Sequence, residues 1–476
     1  MKKIKLGLAP TRRFCFSVED AHKYKKLVET KLKEWSIEFV NIDSINKVGL
    51  LIDREDAKKA AQLFKEKDVD AVFSPHVNFG TEEVVAQMAK SVGKPFLLWG
   101  PRDEAPLASG QHLRDTQCGL FATSNVLKKY GVPFTYITNS RVESKTFERG
   151  FKNFIAASRI AKNFVGARIG QVSTRPGNFY TVIMNEQELL SRWGIEMVPI
   201  TLLKIEKEVD NLVKNDKQVK EECDAIRGKI SLKNIDNETL MKIAALKIFM
   251  IRWAEQENLS AIAFRCHEDL PDSMKFYSCF SNGELTDMGI PVACETDVHG
   301  AISSILIQSA SSIDTPIFFA DLTMRHPENN NSELLWHCGN FPYSLCKDCN
   351  SAFIGGHCNI VPSLPGTGNF EIKSGNITVA RFDGMNGEYS LLMGQGKGIK
   401  GPYNLGTYVW MEVQDWPLWE EKLIYGPYVH HVAGVHDHCS AALYEATRYI
   451  PGLKPDPTQP AETEIKAFLR GSDLDE

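Results

Sequence analysis

Short apolar segments and segments with helical spacing alternate over the first 312 residues of this chain. Residues 4–8 and 71–73 are apolar runs of strand length, and residues 18–35 and 56–66 carry a helical pattern between them. Neighbouring parallel strands need a long crossover, usually a helix, so this alternation favours parallel sheets covered by helices. We therefore predict an α/β fold with doubly wound parallel sheets of the Rossmann or flavodoxin type.

Two changes in this pattern divide the chain. A helical stretch over residues 143–164 leads into a strand at residues 168–172, which places a boundary near residue 165. After residue 312 the pattern becomes short β-rich runs separated by Gly-, Asn- and Pro-rich turns, which is typical of an antiparallel barrel or sandwich. We expect two α/β domains and then a β-rich, barrel-like domain, over residues 1–165, 166–312 and 313–476.

Composition narrows the class of protein and its partners. The 476 residues are 43% apolar and 24% charged, as in folded globular proteins, and carry a net charge of −5. This charge argues against nucleic acid or an anionic membrane as a partner, because both attract a basic surface. The apolar run that begins the chain is too short for an export signal, and eleven scattered cysteines are typical of reduced thiols. We therefore predict a cytoplasmic protein.

Carboxylates follow two apolar strands in the second half of the chain. Glu295 comes directly after the apolar residues 290–294, and Asp321 ends the run at residues 317–320. Ligands of open α/β sheets bind beyond the carboxyl ends of the strands, so both side chains are candidates for a site. Asp297, two residues after Glu295, is either a further site residue or only the cap of the next helix.

Histidines near the C-terminus offer nitrogen ligands. Residues 428–438 contain four of them, and spacing alone does not choose among His430, His431, His436 and His438. A histidine-rich surface loop is the alternative. His337 follows the apolar residues 334–336 and is either a ligand or a structural residue.

Further polar and aromatic side chains are candidates for binding a substrate. His267, Glu268 and Asp269 follow an apolar strand at residues 261–264 and should open onto the same cleft, although a solvated helix start explains them equally. Trp416, with Trp410 and Trp419, could line a sugar pocket or simply pack in the core.

Two carboxylates with imidazole, and no thiolate cage, suit a divalent cation such as Mn²⁺. Proton transfer next to a carbonyl needs this set: a carboxylate removes the C2 proton of an open-chain aldose, a cation stabilises the enediolate, and a carboxyl returns the proton to C1. Two weaker signals compete with this hypothesis. Cys346 and Cys349, with Cys338, His357 and Cys358, are an alternative zinc site. The glycine-rich residues 393–398 resemble a phosphate loop, but β-patterned surroundings favour a hairpin turn.

Four ordered motifs carry a family resemblance. They are Ala-Cys-Glu-Thr-Asp-Val-His-Gly, Phe-Phe-Ala-Asp-Leu, Trp-His-Cys-Gly-Asn and Gly-Pro-Tyr-Val-His-His, all between residues 293 and 431. In these motifs the chain resembles the L-fucose isomerase/L-arabinose isomerase superfamily, and within it the shorter fucose-isomerase-like branch. The resemblance implies two α/β domains, a β-rich C-terminal domain that completes a metal site, and a metal-dependent ketol-isomerase that acts on a deoxyhexose, a hexose or a C6-substituted hexose.

The resemblance also implies roles for particular residues. Glu295 and Asp321 match the family's two metal-binding carboxylates, which are also its acid/base pair. The C-terminal metal histidine falls on His431, because a second histidine follows seven residues later at His438. His337 corresponds to an additional histidine ligand that arabinose isomerases use and fucose isomerases lack. His267, Glu268, His430 and Trp416 are then substrate-binding candidates.

The family forms hexamers in which the N-terminal domain of one subunit covers the site of another. By this resemblance Arg13, His76 and Asn78, with Arg12 and Arg102 nearby, would recognise the substrate. Basic residues there suit a sugar with an anionic group at C6, for example a 6-phospho sugar or the 6-sulfo sugar sulfoquinovose. The alternatives are a non-catalytic, bilobed sugar-binding or regulatory protein and another metal-assisted sugar reaction, such as an epimerase or aldolase.

Overall fold

The computed structural model describes residues 3–471, which fall into two compact units. The first unit contains residues 3–162, 444–451 and 463–471 of the described part, and the second contains residues 163–443 and 452–462. Most of the first unit is a five-stranded parallel sheet with helices. Its strands are β1 (Lys5–Leu8), β2 (Glu38–Asn41), β3 (Ala71–Pro75), β4 (Phe96–Trp99) and β5 (Thr135–Tyr136), and its helices are α1 (Val18–Glu34), α2 (Arg54–Glu66), α3 (Glu82–Val92), α4 (Thr116–Lys129) and α5 (Lys145–Phe164).

The sheet of the first unit has the strand order β2-β1-β3-β4-β5, which is the flavodoxin order. A separate apolar core covers each face, as expected for a parallel sheet between helices. On one face Trp99 stacks on Phe147 of α5, with ring centroids 3.9 Å apart. Local signals set the helix ends as well: Asp53 and Asp56 form a capping box that begins α2.

The second unit begins with another parallel sheet, in the order β10-β9-β6-β7. The first strand in sequence lies between the second and the third, so this sheet repeats the first four positions of the other one. Glu295 follows β10 and His267 follows β9, at the carboxyl ends of adjacent strands. The strands are β6 (Arg168–Val172), β7 (Glu196–Ile200), β8 (Ser231–Leu232), which pairs outside this sheet, β9 (Ala261–Phe264) and β10 (Val292–Cys294); the helices are α6 (Glu186–Trp193), α7 (Leu202–Asn215), α8 (Lys217–Lys229), α9 (Asn237–Glu257), α10 (Asp269–Met274), α11 (Cys279–Asp287) and α12 (Val298–Ala310).

The C-terminal part is dominated by a long mixed sheet that closes on itself. Six strands pair in a ring, each antiparallel to the next, in the order β15, β16, β17, β12, β11, β18 and back to β15. Outside the ring, β19 lies parallel to β16, and β14 lies parallel to the start of β17. The elements are β11 (Ile317–His326), β12 (Asn329–His337), β13 (Phe353–Gly356), β14 (Pro365–Glu371), β15 (Asn376–Met385), β16 (Glu388–Ile399), β17 (Thr407–Glu412), α13 (Trp416–Tyr425), β18 (His431–Val435), α14 (Ser440–Ala446), β19 (Leu453–Gln459) and α15 (Glu462–Arg470).

These observations confirm the predicted fold class of two parallel α/β sheets followed by a barrel-like β structure. One local prediction is wrong: the glycine-rich residues 393–398 are not a hairpin turn but lie inside β16. The absence of Cβ atoms is needed there for packing, because a Cβ on Gly394 would lie 2.1 Å from the ring of Trp419. Within residues 3–471, none of the helices combines the length and apolar character needed to cross a bilayer.

Candidate active site

Two ligand candidates are brought together by strand register in the barrel. Asp321 on β11 lies directly opposite His431 on β18. Directly opposed residues on antiparallel strands have their Cβ atoms about 5 Å apart, and here Asp321 Oδ1 is 3.6 Å from His431 Nε2. His337 ends the neighbouring strand β12, and its Nε2 is 3.9 Å from the same Asp321 oxygen. Three side chains from separate sequence motifs therefore meet on three adjacent strands.

Glu295 reaches the same point from the parallel sheet. Its Oε2 is 2.8 Å from His431 Nε2, and its Oε1 accepts a hydrogen bond of 3.0 Å from His267 Nε2. Glu295 and Thr296 both have left-handed backbone, with φ of 61° and 57°. Such conformations are unfavourable for residues other than Gly and concentrate at functional sites. The turn from β10 into α12 is therefore held in a strained form that directs the carboxylate toward the barrel.

Four buried polar atoms converge in this cluster: Glu295 Oε2 and His431 Nε2 face each other at 2.8 Å, and Asp321 Oδ1 and His337 Nε2 have no hydrogen-bond partner. The great majority of buried polar atoms in folded proteins are paired, so this convergence is unusual. Oxygen and imidazole nitrogen together are the donors that Mn²⁺ and related divalent cations accept. The residues present thus fit a divalent cation. Asp321 is the most exposed of the four, at 17% of its side chain, so a substrate would approach from its side.

Asp297 positions His431. Its Oδ2 accepts a hydrogen bond of 2.8 Å from His431 Nδ1, and its Oδ1 caps α12 through Gly300 N at 2.8 Å. Asp297 therefore caps α12 and also contacts a residue of the cluster. With its Nδ1 proton held in this way, His431 would present the lone pair of Nε2 to a cation that displaces the Nε2 proton. A carboxylate behind a histidine ligand is a common arrangement in metal sites.

Behind Asp297 lies a buried charge network that sequence reasoning missed. Arg381 on β15 makes two contacts with Asp297 and also binds Asp383, with Arg381 Nε 2.9 Å from Asp383 Oδ2. His299 Nδ1 donates to the other oxygen of Asp383 at 2.9 Å. The guanidinium is fully buried. The sequence signal for this network was Arg381 itself, which interrupts the apolar residues 377–382. An arginine in such a strand is rarely buried without an acidic partner.

The charges of the cluster shift its proton affinities strongly. Against the effect of burial, Glu295 and the hydrogen bond to Asp297 raise the pKa of His431 to about 10. Burial raises the pKa of Asp321 to about 7, with Glu295 adding to this and His431 opposing it. Burial also favours a neutral Glu295, but His431 and His267 hold its pKa well below the ordinary value. Burial lowers the pKa of His337 to about 3, so its ring is neutral.

Two of the other predicted substrate-binding residues, His267 and His430, lie beside this cluster. The ring of His267 lies 6.0 Å from that of Phe179, and the ring of His430 lies 4.3 Å from that of His431. Donor atoms of Asp321, His430 and His431 lie within 4.8 Å of one another, so His430 is also near the candidate cation site. Glu268 instead pairs with Arg265 at 2.7 Å, and Trp416 stacks on Trp419 at the start of α13.

The N-terminal candidates lie in the first unit, after strands β1 and β3. Asn78 is fully buried; its Oδ1 accepts the Arg13 backbone N–H at 2.8 Å, and its Nδ2 has no partner. Arg12 is 8% exposed with an unpartnered Nε. Arg13 lies over the ring of Phe79 and pairs with Glu82. His76 shares a 2.8 Å hydrogen bond with Thr123, and burial lowers its pKa to about 4.

The zinc alternative finds no support within residues 3–471. All eleven cysteines are free, and the groups of three or more His, Cys, Asp and Glu side chains that converge there are Cys266, His267 and Glu295, and Asp321, His430 and His431. The thiols near residue 349 belong to neither group.

Comparison with known proteins finds similar sugar isomerases. Residues 7–165 match the model of the fucose/sulfoquinovose isomerase N-terminal domain. A sulfoquinovose isomerase of Priestia megaterium is 26% identical over 446 residues, which cover 93% of this chain and 96% of that protein. These matches confirm the resemblance to fucose-isomerase-like proteins that the sequence motifs carry. A sulfoquinovose isomerase of Alkalicoccus urumqiensis is also 26% identical, over 71% of this chain and 75% of its own length.

The matched domain and these relatives indicate an isomerase of the ketol-isomerase class and disfavour the non-catalytic alternative. A sugar-binding protein of Actinobacillus succinogenes, solved with bound D-allose, aligns with 65% of this isomerase and 92% of its own chain at 13% identity. Its TM-score of 0.17 is too low to bear on fold or function.

Proposed function

We propose that this isomerase uses a divalent cation, held by Glu295, Asp321 and His431, to interconvert an aldose and its ketose. The observation that carries the proposal is the set of buried carboxylate and imidazole atoms that converge within 3.6 Å of His431 Nε2, from the barrel and from the end of β10. The donor set of carboxylate oxygens and imidazole favours Mn²⁺. When bound there, the cation supplies Lewis-acid polarisation of the substrate's carbonyl and hydroxyl oxygens.

Glu295 and Asp321 divide the proton transfers between them. Glu295 is ionised, so it accepts the C2 proton of the open-chain aldose and returns it to C1 of the enediolate. Asp321, as a carboxylate, accepts the proton of the C2 hydroxyl oxygen and passes it to the C1 oxygen. One C–H bond breaks at C2, one forms at C1, and no redox partner is needed. His431 keeps both carboxylates in place, and Asp297 keeps the orientation of His431.

The proposed substrate is a hexose with a sulfonate at C6, namely sulfoquinovose. Relatives that span nearly the whole chain carry that name. A sulfonate has three acceptor oxygens and no donor, so it is bound by hydrogen-bond donors. Arg12 Nε and Asn78 Nδ2 are such donors, buried and without a partner in the first unit. They support the recognition role predicted for this region of Arg13, His76 and Asn78.

The test is a panel of aldoses incubated with the purified enzyme and Mn²⁺, followed by separation of aldose from ketose. The panel contains sulfoquinovose, glucose 6-phosphate, glucose, fucose and a pentose. We expect conversion of sulfoquinovose to its ketose and much slower conversion of uncharged sugars. Fastest turnover of fucose would refute the sulfonate assignment, and conversion unaffected by EDTA would refute the cation.

We further propose a cytoplasmic homohexamer in which N-terminal residues of one subunit complete the substrate site of another. The support is the family resemblance, together with eleven free cysteines that suit a reducing compartment. Light scattering during gel filtration should give about six times the 53.4 kDa of one chain. The mass of a monomer would contradict this assembly.

Proton release on Mn²⁺ binding is a further expected result. The cation must displace the proton of His431, whose pKa is about 10, and below pH 7 also that of Asp321. Mn²⁺ binding should therefore release about one proton at pH 8 and approach two at pH 5.5. Apparent affinity should rise with pH, more steeply below pH 7 than above it. Calorimetry in buffers of different ionisation enthalpy measures both, and proton uptake would contradict the ligand set.

A further inference from the structure

The ring of His337 is held in one tautomer by the backbone. His337 is fully buried at the end of β12, and its Nδ1 accepts a hydrogen bond of 2.8 Å from the N–H of Cys338. A nitrogen that accepts has no proton of its own. The neutral ring therefore carries its proton on Nε2, and Nε2–H is a donor without a lone pair to offer.

His431 is held in the opposite way. Its Nδ1 donates to the carboxylate of Asp297, so a cation that displaces the Nε2 proton would meet the lone pair of Nε2. For His337 to coordinate a cation through Nε2, the proton would have to move to Nδ1. Two donors, Nδ1–H and the Cys338 N–H, would then face each other at 2.8 Å in a buried position. The two histidines are thus equipped for different partners.

The space beside His337 Nε2 is suited to a hydroxyl group. Asp321 Oδ1 lies 3.9 Å from His337 Nε2, which is too far for a direct hydrogen bond. Neither atom has a hydrogen-bond partner. A hydroxyl oxygen placed between them would accept from His337 and donate to Asp321, so it would satisfy both atoms at once. A sugar hydroxyl has this pair of capacities, and a metal ion has neither.

We propose that His337 is not a fourth metal ligand but a hydrogen-bond donor to the substrate oxygen that exchanges its proton with Asp321. This inference rests on the proposed function and refines the ligand set that the resemblance implies. As negative charge develops on that oxygen, the fixed Nε2–H donor stabilises it without reorganisation. His337 then acts on the substrate, and the cation depends on Glu295, Asp321 and His431.

Two substitutions separate a ligand from a donor. In His337→Gln the amide nitrogen replaces Nε2–H as a donor, whereas His337→Leu fills similar space without one. We expect both variants to bind Mn²⁺ within about threefold of the wild-type Kd. Loss of a side chain that hydrogen-bonds to a ligand costs about tenfold or more, and His337 Nε2 makes no such hydrogen bond. His337→Leu should lower kcat/KM by about 10²-fold, as for other fixed donors, and His337→Gln should restore most of that loss.

Mn²⁺ affinity is measured by calorimetry, and electron spin-echo modulation of the bound Mn²⁺ reports nitrogen ligands directly. Modulation unchanged between wild type and His337→Gln supports the inference. Loss of a histidine nitrogen signal, or Mn²⁺ binding weakened tenfold or more in His337→Gln, overturns it, as does full activity of His337→Leu. The wild-type measurement separates failure of this inference from failure of the proposed function. A wild-type protein that binds no Mn²⁺ refutes the proposed cation site itself.

Discussion

Replacing Glu295 by glutamine should lower kcat by about 10³- to 10⁴-fold, while the protein still folds. Glutamine has nearly the same volume and still accepts the hydrogen bond that His267 gives to Oε1. What it lacks is the negative charge that accepts the C2 proton. That charge also faces His431 Nε2 at 2.8 Å, so the variant should bind Mn²⁺ more weakly.

Turnover of the variant should be measured at saturating sugar and Mn²⁺, with bound metal determined on the same sample. A matched control is Glu388→Gln, because Glu388 is exposed and pairs only at the surface with Lys454. The control should retain activity within about twofold, as expected for surface substitutions. If Glu295→Gln kept a tenth or more of wild-type kcat, Glu295 could not be the base.

The second large effect is on stability: Arg381→Met should lower the free energy of unfolding by about 3–5 kcal/mol. Arg381 is fully buried between Asp297 and Asp383. Methionine fills much of the space but leaves two buried carboxylates without their counter-charge, and unpaired buried charges are costly. The pKa values of both carboxyls are held low beside this guanidinium, and they should rise in the variant.

Urea unfolding followed by tryptophan fluorescence measures this loss. Arg325→Met is the matched control, because Arg325 also lies on a barrel strand but is exposed; it should change stability by less than about 0.5 kcal/mol. A second comparison uses Arg381→Lys, which keeps the positive charge but not the planar guanidinium. Its free energy of unfolding should lie between those of Arg381→Met and wild type. Equal stability of Arg381→Met and wild type would show that the network does not support the fold.

Residues with a strong local signal were accessible to sequence reasoning. Alternating periods predicted the parallel sheets, and an apolar strand followed by a carboxylate marked Glu295 and Asp321 as candidates. Both lie in the cluster because each signal belongs to one strand and its end. The sequence could not choose among four C-terminal histidines, whereas the register that sets His431 opposite Asp321 exists only between two strands 110 residues apart.

Long-range contacts and proton positions could not be predicted from the sequence, because they depend on residues that are distant in the chain or on backbone geometry. Arg381 and Asp297 are 84 residues apart, and no local sequence pattern at either residue indicates that the two side chains pair. The tautomer of His337 depends on a single backbone N–H at a strand end. The error at residues 393–398 arose because glycines that make room for Trp419 look the same in sequence as glycines that make a turn.

The closed ring of six strands restrains some residues of the candidate site more than others. Asp321, His337 and His431 stand on three adjacent members of a ring without free edges, so none can shift its register without breaking closure. Glu295 and His267 instead stand on loops that follow open-sheet strands. Over evolutionary time the ring should therefore accept few changes. Adaptation to sugars of different length or charge should accumulate in the loops that face it.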